Sequence, residues 1–97
     1  MTKAEISNLI ISEVKAYNEN LDDPVDLSAG EDSVLFGEGG VLTSVDFVTL
    51  VLDIEEAVEN ATQKSITLAD ERAMSQKHSP FRTVGTLADY IAGLLEA

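Results

Sequence analysis

The sequence predicts a small all-α bundle. Apolar residues recur at helical spacing in three stretches, and no pair of credible strands is present. With 97 residues and 44% hydrophobic content, the chain is long enough for one domain with a modest core and too short for two. We therefore expect a single domain over residues 1–97, with a core built mostly from aliphatic side chains because only 5% of the residues are aromatic.

The first helix is predicted over residues 3–17. Thr2 and Glu5 have the spacing of a capping box, in which each side chain bonds the backbone N–H of the other residue. Apolar side chains then recur every three or four residues and would line one helical face: Ile6, Leu9, Ile10, Val14 and Tyr17.

Residues 18–42 predict a long ordered connection. No helical period holds there, and Pro24 and several glycines interrupt the segment. Loops of this length are uncommon inside a compact domain. Apolar residues within it can pin it to the core as an Omega-like cover: Leu27, Val34, Leu35 and Phe36.

The second helix is predicted over residues 44–59, after a possible capping box of Thr43 with Asp46. Its core face is expected to carry Phe47, Val51, Ile54 and Val58. Further apolar residues lie between or beside that face, namely Val45, Val48, Leu50 and Leu52. A short helix cannot bury all of them against one small core, so we expect some to be exposed among the acidic residues.

A short third helix is predicted over residues 70–74 or slightly further, capped by Thr67 with Asp70. The pattern breaks at residues 76–81, where Ser79 precedes Pro80. Helical spacing returns from Thr83, through Val84, Leu87, Ala88, Ile91, Leu94 and Leu95. The predicted fold is a four-helix bundle with a long loop between helices one and two and a short third helix.

The formal net charge of −12 makes phosphate backbones and anionic bilayers poor partners and basic protein surfaces good ones. No Lys or Arg lies between Lys15 and Lys64, whereas acidic residues are frequent there. This run is either a solvated face or a docking surface for basic enzymes. The absence of cysteine excludes a disulfide scaffold, a thiolate metal site and a cysteine nucleophile. Without an evident leader or membrane span, a cytoplasmic location is expected.

Ser44 lies where the long loop meets the second helix. Serine at such a position most often only caps the helix. An anionic group attached to its hydroxyl would, however, lie at the positive end of the helix dipole, so the site also suits a phosphate ester.

The chain resembles the acyl carrier proteins and their peptidyl-carrier relatives over nearly its whole length. Residues 42–46, LTSVD, stand where that family has its Asp-Ser-Leu motif, and residues 36–40, FGEGG, look like its glycine-containing approach. Residues 50–56 resemble its acidic second helix, and residues 83–91, TVGTLADYI, its fourth. Thr43 replaces the family's Asp and Val45 its Leu, and residues 73–82 are additional.

The resemblance implies that the Ser44 hydroxyl carries 4′-phosphopantetheine, delivered from coenzyme A by a phosphopantetheinyl transferase. The arm would supply the thiol that the chain lacks and hold an acyl or aminoacyl group as a thioester, for lipid, polysaccharide-modifying or secondary-metabolite biosynthesis. Acyl-loading and acyl-transferring enzymes with basic docking surfaces would contact a monomeric carrier through Val45, Asp46, Val48, Leu52, Asp53, Glu55, Glu56 and Glu59.

The sequence also admits two other classes of function. An interaction module with a carrier-like fold would keep Ser44 unmodified. An enzyme is disfavoured, because the sole histidine, His78, lies in a loop and neither a nucleophile elbow nor a phosphate-binding glycine loop is present. Residues 22–26, DDPVD, lack calcium-loop spacing. We therefore expect no catalytic residues and no metal site.

Overall fold

The computed structural model describes residues 1–36, 42–68 and 81–96. Those ranges contain three α helices, α1 (Lys3–Asn18), α2 (Ser44–Thr62) and α3 (Val84–Glu96), with a 3-10 turn at Gly30–Asp32. They contain no β strand, so the all-α class is confirmed for them. The short helix predicted over residues 70–74 lies outside the described residues, and the count of four helices stays a prediction.

Helix α1 begins with the predicted capping box. Thr2 Oγ1 accepts from the Glu5 N–H at 3.2 Å, and Glu5 Oε1 accepts from the Thr2 N–H at 2.9 Å. The predicted spacing then places Ile6, Ile10 and Val14 fully in the core. Helix α1 therefore forms where its sequence supplies both a start signal and one continuous apolar face.

Helix α2 continues three residues beyond its predicted end. Residues 60–62 contain no helix breaker, and the helix stops only at Gln63, whose backbone adopts a left-handed conformation with φ of 60°. The Gln63 N–H donates to the Glu59 carbonyl at 2.7 Å. Glycine usually occupies this position, so the sequence offers no signal for this end.

The core joins the three helices to both connections. Phe47 of α2 stacks on Phe36 of the long loop, with ring centroids 4.4 Å apart, and meets Phe81 edge-on at 4.9 Å. The buried core residues are Ile6, Ile10, Val14, Val25, Leu35, Phe47, Leu50, Val51, Ile54, Val58, Leu68, Phe81, Val84, Leu87, Ala88 and Ile91. The three phenylalanines thus lie together where the long loop and α2 meet the segment just before α3.

The long loop packs against the core, as predicted. Leu35 is buried and Leu27 and Phe36 are half-buried against the core, whereas Val34 forms an isolated antiparallel bridge with Thr83. The Leu35 N–H donates to the Arg82 carbonyl at 2.7 Å. This pairing fixes the loop beside the start of α3.

The 3-10 turn lies directly against the first turn of α3. A Cβ atom built on Gly85 would be 3.0 Å from the Glu31 carbonyl oxygen and 3.3 Å from Glu31 Cβ. Neighbouring Ser7 of α1 donates its hydroxyl hydrogen to Glu31 Oε2 at 3.1 Å. Glycine at position 85 therefore permits a close approach between the loop and α3.

Candidate functional site

Ser44 is the first residue of α2, and Thr43 is the residue that caps the helix. Thr43 Oγ1 accepts from the Asp46 N–H at 3.2 Å, and Asp46 Oδ2 accepts from the Thr43 N–H at 3.1 Å. The predicted capping box is confirmed. The side chain of Ser44 is not among the described groups, but the capping bonds do not involve it.

Asp46 also bonds to the end of α1. Its Oδ1 accepts from the Tyr17 hydroxyl at 2.7 Å. This hydrogen bond, followed by the one from the Thr43 N–H, lowers the pKa of the Asp46 carboxyl below its usual value, and the same contact raises the pKa of Tyr17. Asp46, predicted as a partner contact, is thus half-buried and engaged within the chain.

Three large apolar residues of α2 face solvent. Val45 is 75% exposed, Val48 48% and Leu52 54%, and their spacing places them along one helical face that begins beside Ser44. Leu50, the fourth apolar residue considered at the margin of the core face, is buried. We call Val45, Val48 and Leu52 the apolar stripe.

Carboxylates accompany the apolar stripe along α2. Asp53, Glu56 and Glu59 are exposed, and we call them the acidic rim. Glu55 differs, because it is half-buried and its Oε1 accepts from the Leu68 N–H. Helix α2 has no Lys, Arg or His in its sequence, so no cation of its own offsets the rim.

Glu13 of α1 adds a carboxylate on the same side of the molecule, which the sequence analysis missed. Partial burial raises the pKa of Glu13, and the nearby charges of Asp53 and Glu56 raise it further. The sequence signal that could have indicated the position of Glu13 is its spacing, four residues before Tyr17, which places the two side chains on one face of α1. Tyr17 contacts α2 through Asp46. The negative charge around α2 therefore comes from two helices.

An apolar cavity of about 10 Å³ lies inside the bundle beside α2. Its walls are Leu35, Leu42, Phe47, Leu50, Val51, Ile54, Phe81 and Leu87. A space of this size holds at most about one water molecule. An acyl chain would enter only if these side chains moved apart.

The remaining expectations concern a metal site, a membrane span and the additional segment at residues 73–82. In residues 1–36, 42–68 and 81–96, no three His, Asp or Glu side chains converge as metal ligands would. None of the helices in those ranges combines the length and apolar character needed to cross a bilayer. His78 and most of the additional segment at residues 73–82 lie outside the described residues; Arg82 at its end is exposed.

Comparison with protein-family models, with curated proteins and with solved structures finds no match to this chain. The resemblance to acyl carriers therefore depends on the motif residues themselves.

Proposed function

We propose that the chain is an acyl carrier protein that performs no catalysis and presents a thioester-bound acyl or aminoacyl group on a 4′-phosphopantetheine arm attached to Ser44. The observation that carries the proposal is one arrangement on α2. A serine begins the helix directly after its cap, an exposed apolar stripe starts in the same turn at Val45, and the acidic rim follows further along the helix from Asp53. The four-helix arrangement of the carrier family and a cytoplasmic site of action are parts of this proposal.

The start of α2 suits the chemistry of attachment. The Ser44 oxygen would form a new P–O bond to the phosphate of phosphopantetheine, the P–O bond to the nucleotide part of coenzyme A would break, and the hydroxyl proton would pass to a base of the transferase. A phosphodiester at a helix N-terminus is stabilised by the dipole by about 0.3–1 kcal/mol. Because Thr43 makes the capping bonds, attachment at position 44 would leave them intact.

The pantetheine thiol would form the thioester with the carried group, because the sequence has no cysteine that could do so. The thioester-linked group would have two places to lie. One is along the apolar stripe, and the other is the core beside α2, after its small cavity widens. Both begin within reach of the first turns of α2.

The stripe and rim would dock the loading and transferring enzymes. Exposed carboxylates on a helix with no Lys, Arg or His of its own can steer basic surfaces over distances up to about 10 Å at 0.1 M salt. Val45, Val48 and Leu52 would then fix the bound pose by short-range contact. Weak binding suits a carrier that must release each partner in turn.

Attachment is tested by intact mass after incubation with a broad-specificity phosphopantetheinyl transferase and coenzyme A. We expect a gain of one phosphopantetheine group in the wild type and in Ser65→Ala, an exposed serine beyond α2, and no gain in Ser44→Ala. An unchanged wild-type mass would overturn the proposal in favour of an unmodified interaction module. A gain in Ser44→Ala would overturn the assignment of the site.

Docking is tested by the salt dependence of kcat/KM for the same transferase. We expect the wild-type kcat/KM to fall as salt rises. At low salt, Asp53→Asn/Glu56→Gln should have a lower kcat/KM and a weaker salt dependence than Asp22→Asn/Asp23→Asn, which removes the same charge from the exposed loop. Equal losses in the two double variants would attribute the effect to net charge instead of to the acidic rim.

A further inference from the structure

A hydrogen-bonded network joins the end of α1 to the start of α2. The Tyr17 hydroxyl donates to Asp46 Oδ1 at 2.7 Å, and Asp46 Oδ2 accepts from the Thr43 N–H at 3.1 Å. Thr43 Oγ1 in turn accepts from the Asp46 N–H at 3.2 Å. Ser44 thus lies in the chain between Thr43 and Asp46, of which Asp46 bonds directly to Tyr17 of another helix and Thr43 is linked to Tyr17 only through Asp46.

The Tyr17 bond is additional to what either helix needs for its own ends. The capping box of α2 is complete with Thr43 and Asp46 alone. The end of α1 is held separately, because the Asn18 side chain accepts from the Val25 N–H at 2.9 Å and donates to the Val25 carbonyl at 3.1 Å. Removing the Tyr17 hydroxyl would therefore leave both helices capped.

The bond has a direct effect on the first turn of α2. Helix ends are the parts of a helix that open most readily, because their terminal backbone groups lack partners within the helix. A carboxylate held by one donor can rotate about its last torsion, whereas donors at both oxygens fix its plane. Tyr17 therefore restricts the motion of Asp46 and, through the capping box, of the backbone around position 44.

We propose that Tyr17 is a positioning residue for modification at Ser44. The inference rests on the function proposed above. Its effect should appear in the chemical step, because the apolar stripe and acidic rim that would bind the transferase lie on α2 and do not include Tyr17. For a serine oxygen that must be presented accurately to the transferred phosphate, we expect loss of the hydroxyl to lower kcat about tenfold with little change in KM.

The experiment compares Tyr17→Phe with two controls in the same transferase assay. Tyr90→Phe removes the other tyrosine hydroxyl of the chain, from α3. Ile91→Val removes one buried methyl group from α3 and serves as a control for a modest, general loss of stability. Amide hydrogen exchange of Asp46 and Phe47 reports the order of the first turn of α2 independently of the enzyme.

The expected result is a lower kcat and faster exchange at these two amides in Tyr17→Phe, with both controls near wild type. If Tyr17→Phe is modified at the wild-type kcat, or if Ile91→Val loses as much, the inference is overturned while the carrier function stands. If the wild type itself is not modified, the proposed function fails first and the inference fails with it.

Discussion

Two glycines of α3 offer a paired test of how closely the long loop packs against this helix. Gly85 faces the 3-10 turn, where an added Cβ would be 3.0 Å from the Glu31 carbonyl oxygen, whereas Gly93 is exposed with nothing within 4 Å. Replacing either by alanine gains helix propensity, about 0.5–1 kcal/mol. Only Gly85→Ala also forces a methyl group against backbone atoms.

The expected magnitudes follow from these contacts. Gly93→Ala should raise the free energy of unfolding by about 0.5–1 kcal/mol. At Gly85 the gain is opposed by an overpacking cost of about 1–3 kcal/mol, because the obstructing atom belongs to the backbone and not to the end of a flexible side chain. The two variants should therefore differ by about 1–3 kcal/mol, which corresponds to a difference in Tm on the order of 10 °C.

Urea unfolding followed by circular dichroism measures this difference. With m values of about 1–3 kcal/mol/M, the midpoint of Gly85→Ala should lie roughly 1 M below that of Gly93→Ala. Equal midpoints would mean that the 3-10 turn moves away at no cost, and the close packing of loop and α3 described here would be wrong.

Three further predictions concern two carboxyl groups with shifted pKa values, those of Glu13 and Asp46, and the buried hydroxyl of Ser33. Burial and neighbouring carboxylates raise the pKa of Glu13 above its usual 4.5, so its charge destabilises the folded state above that pH. Glu13→Gln should therefore raise the free energy of unfolding at pH 7, measured with urea, by under about 1 kcal/mol, by less below pH 4.5, and by more than Glu19→Gln does. The pKa of Asp46 is lowered from 3.8 by its hydrogen bonds, so its contribution to stability is present above that pH and is lost as the pH falls further. Between pH 5 and pH 2, Asp46→Asn should therefore lose less of its free energy of unfolding than the wild type does. Ser33 is buried and its hydroxyl has no hydrogen-bond partner among residues 1–36, 42–68 and 81–96, so Ser33→Ala should keep stability unchanged or raise it by up to about 1 kcal/mol. Ser7→Ala, which deletes a bonded hydroxyl, should lower stability by about as much.

Local patterns predicted the three described helices well because each of them carries its own signals. The capping boxes at Thr2 and Thr43 fixed two starts, and apolar spacing identified the core faces. The end of α2 was missed by three residues because Gln63 adopts a conformation that usually requires glycine. The apolar stripe was anticipated only in part, since spacing showed an excess of apolar residues but not that Leu50 would be the buried one.

Contacts between distant residues were not predictable from spacing. The bond from Tyr17 to Asp46 joins residues 29 positions apart, and nothing local to either indicates the other. The hydrogen bond from the Leu68 N–H to the Glu55 carboxylate was equally unpredictable, because it depends on how the chain turns back after α2. Sequence reasoning thus identified which residues surround position 44 but not which of them bond to one another.

The bridge between Val34 and Thr83 bears on the order of folding. It brings together segments about 50 residues apart, and closing a loop of that length is entropically costly before other contacts form. Helices α1 and α2 carry local start signals and can form early, so this closure should come late on the folding pathway. Substitutions that weaken the pairing at residues 33–35 should therefore speed unfolding much more than they slow refolding.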